Sequence, residues 1–533
     1  MAAHAMNPNT NDLPRLAASS RDDLGATGNR DTADPVTSFK SEEVVAVIPQ
    51  SGAENGGGEG AGYLIYTLSE STDPAAASEG SESGARFRLR AVPYSPSQHP
   101  RHLTAALSPL TLRRTALPPH LAPRGRRRIH VLVFKGAGLR LASEFCSGVL
   151  RPLLEAAGVV PDEVAELDGA QAVSAAVRRL AREAREASAS GGTEATVVLL
   201  SGDGGLVELL SALDREAERD QETGGSSGGG GSAGGRRAPP TVVLFPLGTG
   251  NALFHSLHKP LYEAHGAPSP FVLALRSLFF GTAVPLPTFR ASFSSGARLA
   301  AAPGGGEGEG EHDGPAPPEE QHPVRHLVGA VVASYGFHAS LVWASDTPEH
   351  RVHGDKRFGM AAAELLHEAH AYDAEVQVRW KGAEGFAPLR IPPVDDENKD
   401  ETSRQRLAYL LLALVSNLEK TFTISPASRP LDGVLRGVWF GALDGKRTMD
   451  IMTKAYQRGA HVEMPEVGYT GDGSPELDEV RVVVREEEAR WRKICVDGTI
   501  VEVEKDGWVV VKREDKGREM LNVVVNGAVL SRR

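Results

Sequence analysis

The chain has 533 residues and a formal net charge of −11, length enough for roughly two to three domains of ~150 residues each. It lacks the basic excess of a broad nucleic-acid-binding face, which works by neutralising phosphates. Its 58 glycines and 35 prolines assign part of the length to linker.

Two cysteines, Cys146 and Cys495, make no disulfide framework and point to a reducing compartment. The N-terminus has no apolar segment of signal length, and no apolar run reaches the ~18 residues that span a bilayer. A cytoplasmic protein that meets membranes only at their surface is expected, and the sequence is silent on oligomeric state.

Residues 1–40 are polar and aperiodic and are predicted to be disordered. Residues 41–127 carry strand-like runs at Val44 to Ile48, Tyr63 to Leu68 and Arg86 to Val92, expected to pack on the C-terminal sheet. The Pro- and His-containing stretch from Pro96 to Arg128 reads as a linker ending in a basic tether. Residues 128–281 alternate buried strands with helices. Ile129 to Phe134 runs into Lys135-Gly136-Ala137-Gly138, and Leu141 to Ala157 has helical spacing with a kink at Pro152 and a stop at Gly158. A second helix spans Ala170 to Ala187 and leads to a strand at Val197 to Leu200, which delivers Ser201-Gly202-Asp203-Gly204-Gly205. A helix from Leu206 dissolves into a Gly/Ser insertion at residues 222–240. Val242 to Phe245 then delivers Pro246-Leu247-Gly248-Thr249-Gly250-Asn251, and Phe271 to Phe280 closes this α/β unit. Residues 282–533 are strand-rich, with one helix at Lys356 to Ala371 and a low-complexity insertion at 300–323, and are expected to form an antiparallel β-sandwich.

Backbone that meets phosphate needs glycine, because a Cβ blocks close approach. A helix N-terminus behind such a turn adds free N–H donors and partial positive charge. Three strand-to-helix junctions of this kind, at Gly136/Gly138, at Gly202 to Gly205 and at Gly248 to Asn251, point to a nucleotide-phosphate site. None carries the Gly-Lys-Ser/Thr of a Walker loop or a complete dinucleotide fingerprint. Asp203, set between glycines at a strand end, is placed to accept a proton from a hydroxyl or to meet a magnesium ion beside bound phosphate; capping the following helix is the structural alternative. The histidine pairs His350/His353 and His367/His370 lack supporting ligands for a metal site, and Gly471-Asp472-Gly473 reads as a turn.

Ser201-Gly202-Asp203-Gly204 with Glu208, followed by Pro246-Leu247-Gly248-Thr249-Gly250-Asn251-Ala252-Leu253, resembles the catalytic domain of the diacylglycerol kinase and sphingosine kinase superfamily. Tyr335-Gly336-Phe337, Arg351, Gly354, Arg357-Phe358, Pro430, Asp432-Gly433 and Val496-Asp497-Gly498 extend the likeness, with gaps, from about Arg128 to Val525. The resemblance implies a Rossmann-like nucleotide domain, of the NAD kinase/diacylglycerol kinase-like type, followed by a β-sandwich lipid domain. It implies ATP and Mg2+ as cofactors, a lipid substrate, and Asp203 as general base. Ser201, Gly202, Gly204, Gly205, Glu208, Gly248, Thr249, Gly250 and Asn251, with Gly136 and Gly138, would surround the triphosphate; Arg351, Arg357, Asp497 and Gly498 would lie near it. Three departures stand out. Phe134-Lys135 replaces the usual Asn-Pro, so that nucleotide contact there is expected to be either altered or taken over by Lys135. Ala339-Ser340-Leu341-Val342 lacks the paired acids that meet a sphingoid amine, leaving Asp346 as the nearest carboxylate. Thr499 replaces the usual glutamate after Val-Asp-Gly. The expected activity is phosphorylation of a sphingoid base or a diacylglycerol-like lipid; the alternatives are action on NAD, or an impaired lipid-binding regulator on the same scaffold.

Overall fold

Three sheets organise the described residues. The computed structural model describes residues 40–50, 62–71, 86–96, 101–122, 127–189, 194–222, 239–263, 266–301, 323–347, 350, 353, 356–392, 404–515 and 517–531. The expected disordered residues 1–39, most of the 222–240 insertion and most of the 300–323 insertion lie outside these residues.

Val44–Pro49, Tyr63–Glu70 and Phe87–Tyr94 form their own three-stranded antiparallel sheet. It packs on the α/β unit, not on the C-terminal sheet as the sequence led us to expect. Helix Pro270–Phe280, whose residues from Val272 to Phe279 are all buried, extends the Arg276 guanidinium to the carbonyls of Val44 (2.8 Å) and Ser41 (3.1 Å). Phe87 meets the rings of Phe145 and Phe271 at 5.0 and 4.9 Å, edge-on. The presumed linker is also structured. Helix Arg101–Leu107 and the turns after it bury Leu103, Leu107, Leu110 and Leu112, and Leu112 N–H bonds the Val47 carbonyl at 2.8 Å. The i, i+4, i+7 leucines at 103, 107 and 110 are the overlooked helix signal.

The central sheet runs Glu163–Leu167, Arg127–Phe134, Glu194–Ser201, Thr241–Pro246, Asn522–Val525, Thr282–Pro285. All neighbouring pairs are parallel except the last. Its first four strands take the spatial order 2-1-3-4 of a doubly wound fold, whose ligand crevice opens at the carboxyl ends where the order reverses. The proposed boundary at 281/282 therefore shifts, because Thr282–Pro285 and Asn522–Val525 complete this sheet from either side of the second domain. The helix after Phe134 is broken as its proline requires. Ala142–Phe145 passes through a π-turn at Cys146–Leu150 into Arg151–Ala156, with Pro152, which has no N–H to donate back, in the first turn of the last segment. Gly158, at φ +72°, ends it.

The second domain is a continuous antiparallel sheet of 13 strands. Its path is Arg298–Leu299, Thr499–Glu502, Lys493–Val496, Val332–Gly336, Arg404–Ala413, Tyr372–Trp380, Leu477–Val484, Trp508–Arg513, Phe289–Phe293, His326–Gly329, with Ala387–Pro388, Arg436–Gly441 and Gly468–Tyr469 branching off. Helix Lys356–Glu368 falls where the sequence places it. Phe337–Ala344 and Gly445–Tyr456 are further helices. The second buries only Thr448, Ile451 and Ala455, too sparse an apolar stripe to announce itself.

Helix Ala252–Tyr262 joins the two large sheets. Asn417 N–H donates to Ser256 Oγ at 3.0 Å, Ser256 Oγ–H donates to Asn417 O at 3.2 Å, and Lys259 Nζ donates to Thr423 Oγ1 at 2.7 Å. The Asn417 amide is held in turn by Glu419 O, Phe422 O and Thr423 Oγ1.

Candidate active site

The three glycine junctions lie side by side because their strands are in register: Val133 pairs Leu200, and Ser201 pairs Pro246. The glycines divide into two kinds. Gly202 and Gly248 meet back to back, so that a Cβ at Gly202 would lie 2.8 Å from the Gly248 Cα. Gly138, at φ +49°, rests on the same turn, and a Cβ there would lie 2.5 Å from Leu247 O. Gly205 is closed off by Ser201 and the Phe134 ring, and Gly250 by Leu418 O. Gly136 and Gly204, in contrast, face open space and keep their backbone free for a ligand. The first kind builds the cleft floor; the second kind lines it. Thr249, Glu208 and Gly498 are exposed, and the Ser201 hydroxyl donates to Gly202 O at 2.9 Å.

Asn251 fixes the third junction. It sits at φ +54°, ψ 43°, a left-handed conformation that asparagine tolerates better than most residues. Its Oδ1 accepts Gly248 N–H at 2.9 Å, and its Nδ2 donates to Gly248 O at 2.8 Å.

Asp203 opens helix Asp203–Glu222, yet its carboxylate serves another helix: it accepts Ala252 N–H at 2.7 Å and Leu253 N–H at 3.0 Å, the free donors at the start of Ala252–Tyr262. Burial raises its pKa above the ordinary carboxylate value, and the two backbone donors oppose that rise. Each oxygen takes one N–H, so each retains a lone pair for a hydroxyl.

Asp497 comes from the second domain. With Gly498 it forms the two-residue turn between Lys493–Val496 and Thr499–Glu502, at φ +47° and +89°, the geometry that an Asp-Gly hairpin turn requires. Its carboxylate accepts the N–H groups of Ala330 (2.6 Å), Val331 (3.0 Å) and Val332 (2.6 Å). Burial pushes it up to about 7 against those three bonds, and the Asp203 charge adds to the rise. The Asp203 charge is therefore felt at Asp497 across the domain junction. Sequence reading placed Asp497 at a strand turn near the nucleotide and missed this coupling, which no spacing along the chain encodes.

Arg357 and Asp346 are brought to each other, Nη1 to Oδ1 at 3.1 Å, with the guanidinium 4.8 Å from the Phe358 ring centre. Arg351 lies outside the described residues. Lys135 Nζ reaches the exposed Asp168 at 3.4 Å, beside the open Gly136.

Open glycines at adjacent junctions and helix N-termini fit a triphosphate. For a metal ion the fit is partial. Among the described residues no group of three or more His, Cys, Asp or Glu side chains is placed to hold one; magnesium, which keeps waters and phosphate oxygens as ligands, does not need such a cage.

Residues 128–278 match the family model described as the diacylglycerol kinase catalytic domain. These residues belong to the diacylglycerol kinase catalytic-domain superfamily. The matched segment contains all three glycine junctions and Asp203, whereas Asp346, Arg357 and Asp497 lie C-terminal to this kinase domain. No curated protein matches the chain. Similar solved structures include one from Bacillus anthracis str. Sterne described as a "putative diacylglycerol kinase". It has 12% identity and a TM-score of 0.44, the match covering 75% of this chain and 96% of that one. Another, described as a diacylglycerol kinase of the same organism, has 10% identity and a TM-score of 0.40, covering 75% and 98%.

Proposed function

We propose that the chain is a lipid kinase that transfers the γ-phosphoryl group of ATP to a hydroxyl of a sphingoid base or a diacylglycerol-like lipid. The observation that carries this reading is Asp203: an acid of raised pKa, held by two backbone donors where three glycine junctions converge in a kinase catalytic domain. Bound ATP supplies the phosphoryl group and ADP as leaving group, with magnesium accompanying the phosphates to offset their charge. Asp203 orients the acceptor hydroxyl and takes its proton. Gly136 and Gly204 let backbone approach the triphosphate; Asn251 holds the Gly248 turn in shape. Arg351 and Arg357 neutralise charge that develops on the phosphates, and Asp346 orients Arg357. We read residues 128–281 with the two added strands as the nucleotide domain and the antiparallel sheet as the β-sandwich that takes the lipid. No helix among the described residues is long and apolar enough to cross a membrane, which is compatible with peripheral contact from the cytoplasm.

The test is transfer of labelled phosphate from ATP to a panel of diacylglycerol, sphingoid bases and free NAD by wild type and Asp203→Asn. The variant is expected to lose about 10²- to 10⁴-fold in rate. Equal rates would remove Asp203 from this role, and turnover of NAD alone would replace the lipid reading. Thr499, where the resembling family has glutamate, keeps a second reading in view, an impaired lipid-binding regulator; its signature is lipid binding with no turnover of any acceptor.

A further inference from the structure

The second domain grips the nucleotide domain at a charged cluster away from the glycine junctions. Helix Asp203–Glu222 carries Asp214 roughly three turns, or ~16 Å, beyond Asp203, and packs on strand His326–Gly329. Asp214 is 7% exposed. Its Oδ1 accepts from Arg290 Nη2 at 3.0 Å, and its Oδ2 lies 2.7 Å from His326 Nε2. Arg290 is on Phe289–Phe293, the strand paired with His326–Gly329, and its Nε donates to Glu514 Oε1 at 2.7 Å. His326 Nε2 is also 3.3 Å from Glu218 Oε1, about one turn farther along the helix. Burial by itself would raise the Asp214 carboxyl; the His326 hydrogen bond and the Arg290 charge outweigh it and hold the group below its ordinary value, so it is ionised at neutral pH.

The same helix has a second buried acid that faces elsewhere. Glu216, 5% exposed, takes Arg185 of helix Gly169–Ala189 at 3.1 Å and Arg219 of its own helix, all within the nucleotide domain. Asp214 therefore differs from Glu216 in what it fastens, not in how deeply it lies. Asp203 joins two helices: its backbone opens one, and its carboxylate holds the first N–H groups of the other, Ala252–Tyr262. Each is tied separately to the second domain, Ala252–Tyr262 through Asn417 and Thr423, and Asp203–Glu222 through Arg290 and His326. A helix hydrogen-bonded along its length moves as a rod, so slack at Asp214 shifts the Asp203 backbone while the N–H groups that its carboxylate holds stay tethered.

We propose that Asp214 is a positioning residue for phosphoryl transfer: gripped by Arg290 and His326, it conveys the seating of the second domain along helix Asp203–Glu222 to the Asp203 carboxylate. Asp203 is thereby aimed at an acceptor hydroxyl when the two domains are seated on one another. The effect on rate rests on the lipid-kinase reading; the effect on the hydrogen bonds of Asp203 does not.

The full chain is compared as wild type, Asp214→Asn and Glu216→Gln by amide hydrogen exchange and by phosphate transfer from ATP to a lipid panel. Both variants break a buried ion pair and are expected to melt below wild type. In Asp214→Asn the amides of Ala252 and Leu253, which the Asp203 carboxylate holds, are expected to exchange at least about 10-fold faster, while the buried strand Glu194–Ser201 stays within about twofold of wild type. Its kcat is expected to fall about 10- to 100-fold, as a small misplacement of a reacting group does, with the KM for ATP within about twofold because the glycine junctions belong to one domain. Glu216→Gln is expected to keep wild-type exchange at Ala252 and Leu253 and a wild-type kcat; Asp214→Glu, which keeps the charge, is expected to recover part of both losses. His326→Leu, milder because Arg290 stays on Asp214, repeats the comparison if Asp214→Asn does not fold. A lowered melting temperature in Asp214→Asn with unchanged exchange at Ala252 and Leu253, faster exchange with an unchanged kcat, or equal losses in Glu216→Gln would each reduce Asp214 to a structural residue. Faster exchange in Asp214→Asn alone, with no acceptor phosphorylated even by wild type, leaves the tether to Asp203 intact and removes the kinase reading.

Discussion

Asp203 and Asp497 are the same residue type in similar, partly buried settings, and both are used to collect backbone N–H groups. Asp203 closes the carboxyl end of a parallel strand and ties two neighbouring junctions of one sheet together. Asp497 sits in a tight hairpin of the other sheet, collects three donors from a strand start, and still rises to about 7. Backbone donors alone would depress both; burial wins in each case, and at Asp497 the neighbouring Asp203 charge adds to it. Hydrogen bonding therefore sets the geometry of these acids, while desolvation raises the proton affinity of both and the Asp203 charge adds to it at Asp497.

The largest expected effect comes from removing one side of the pair. Asp497 binds its proton more tightly folded than unfolded, where an aspartate titrates near ~3.9. Its stabilising contribution is therefore complete below that value and is lost as pH rises through about 7. Asp497→Asn, which keeps a residue tolerant of positive φ, should flatten the fall in stability across that window by on the order of 1 kcal/mol per pH unit. Urea unfolding at a series of pH values measures it, and parallel curves for variant and wild type would remove the raised proton affinity of Asp497.

The junction floor gives the next effect. Gly248→Ala drives a methyl group into the Gly202 backbone and is expected to cost about 1–3 kcal/mol, seen as a lowered melting temperature. Gly204→Ala, which meets open space, should melt with wild type and weaken nucleotide binding instead. Similar melting for both would erase the division between floor and lining.

Asn251→Ala removes both bonds to Gly248 and should cost about 1–2 kcal/mol. Asn251→Gly, free to adopt positive φ, should recover part of that loss. The smallest effect is expected at Lys135, whose pairing with Asp168 is solvent-exposed. Lys135→Ala should change stability by less than about 1 kcal/mol while raising the KM for ATP, and an unchanged KM would withdraw Lys135 from nucleotide contact.

Most of the nucleotide half was legible in the sequence because its signals are local. A short apolar strand, a glycine turn and a helix are contiguous, so Ser201 to Gly205 and Gly248 to Asn251 declare themselves as junctions without reference to the rest of the chain. The kink at Pro152 and the stop at Gly158 follow in the same way from single-residue backbone chemistry. The sequence by itself thus determined an α/β unit with a glycine-floored cleft and an acid within it. Tertiary structure decided what is non-local. Asn522–Val525 is one apolar run among many, and only packing assigns it to the parallel sheet instead of the antiparallel one. The N-terminal strands found their cover on helix Pro270–Phe280 for the same reason, since an apolar face specifies burial but not against which partner. That Asp203 holds a helix 49 residues onward and that its charge reaches Asp497 both depend on through-space distances between distant segments.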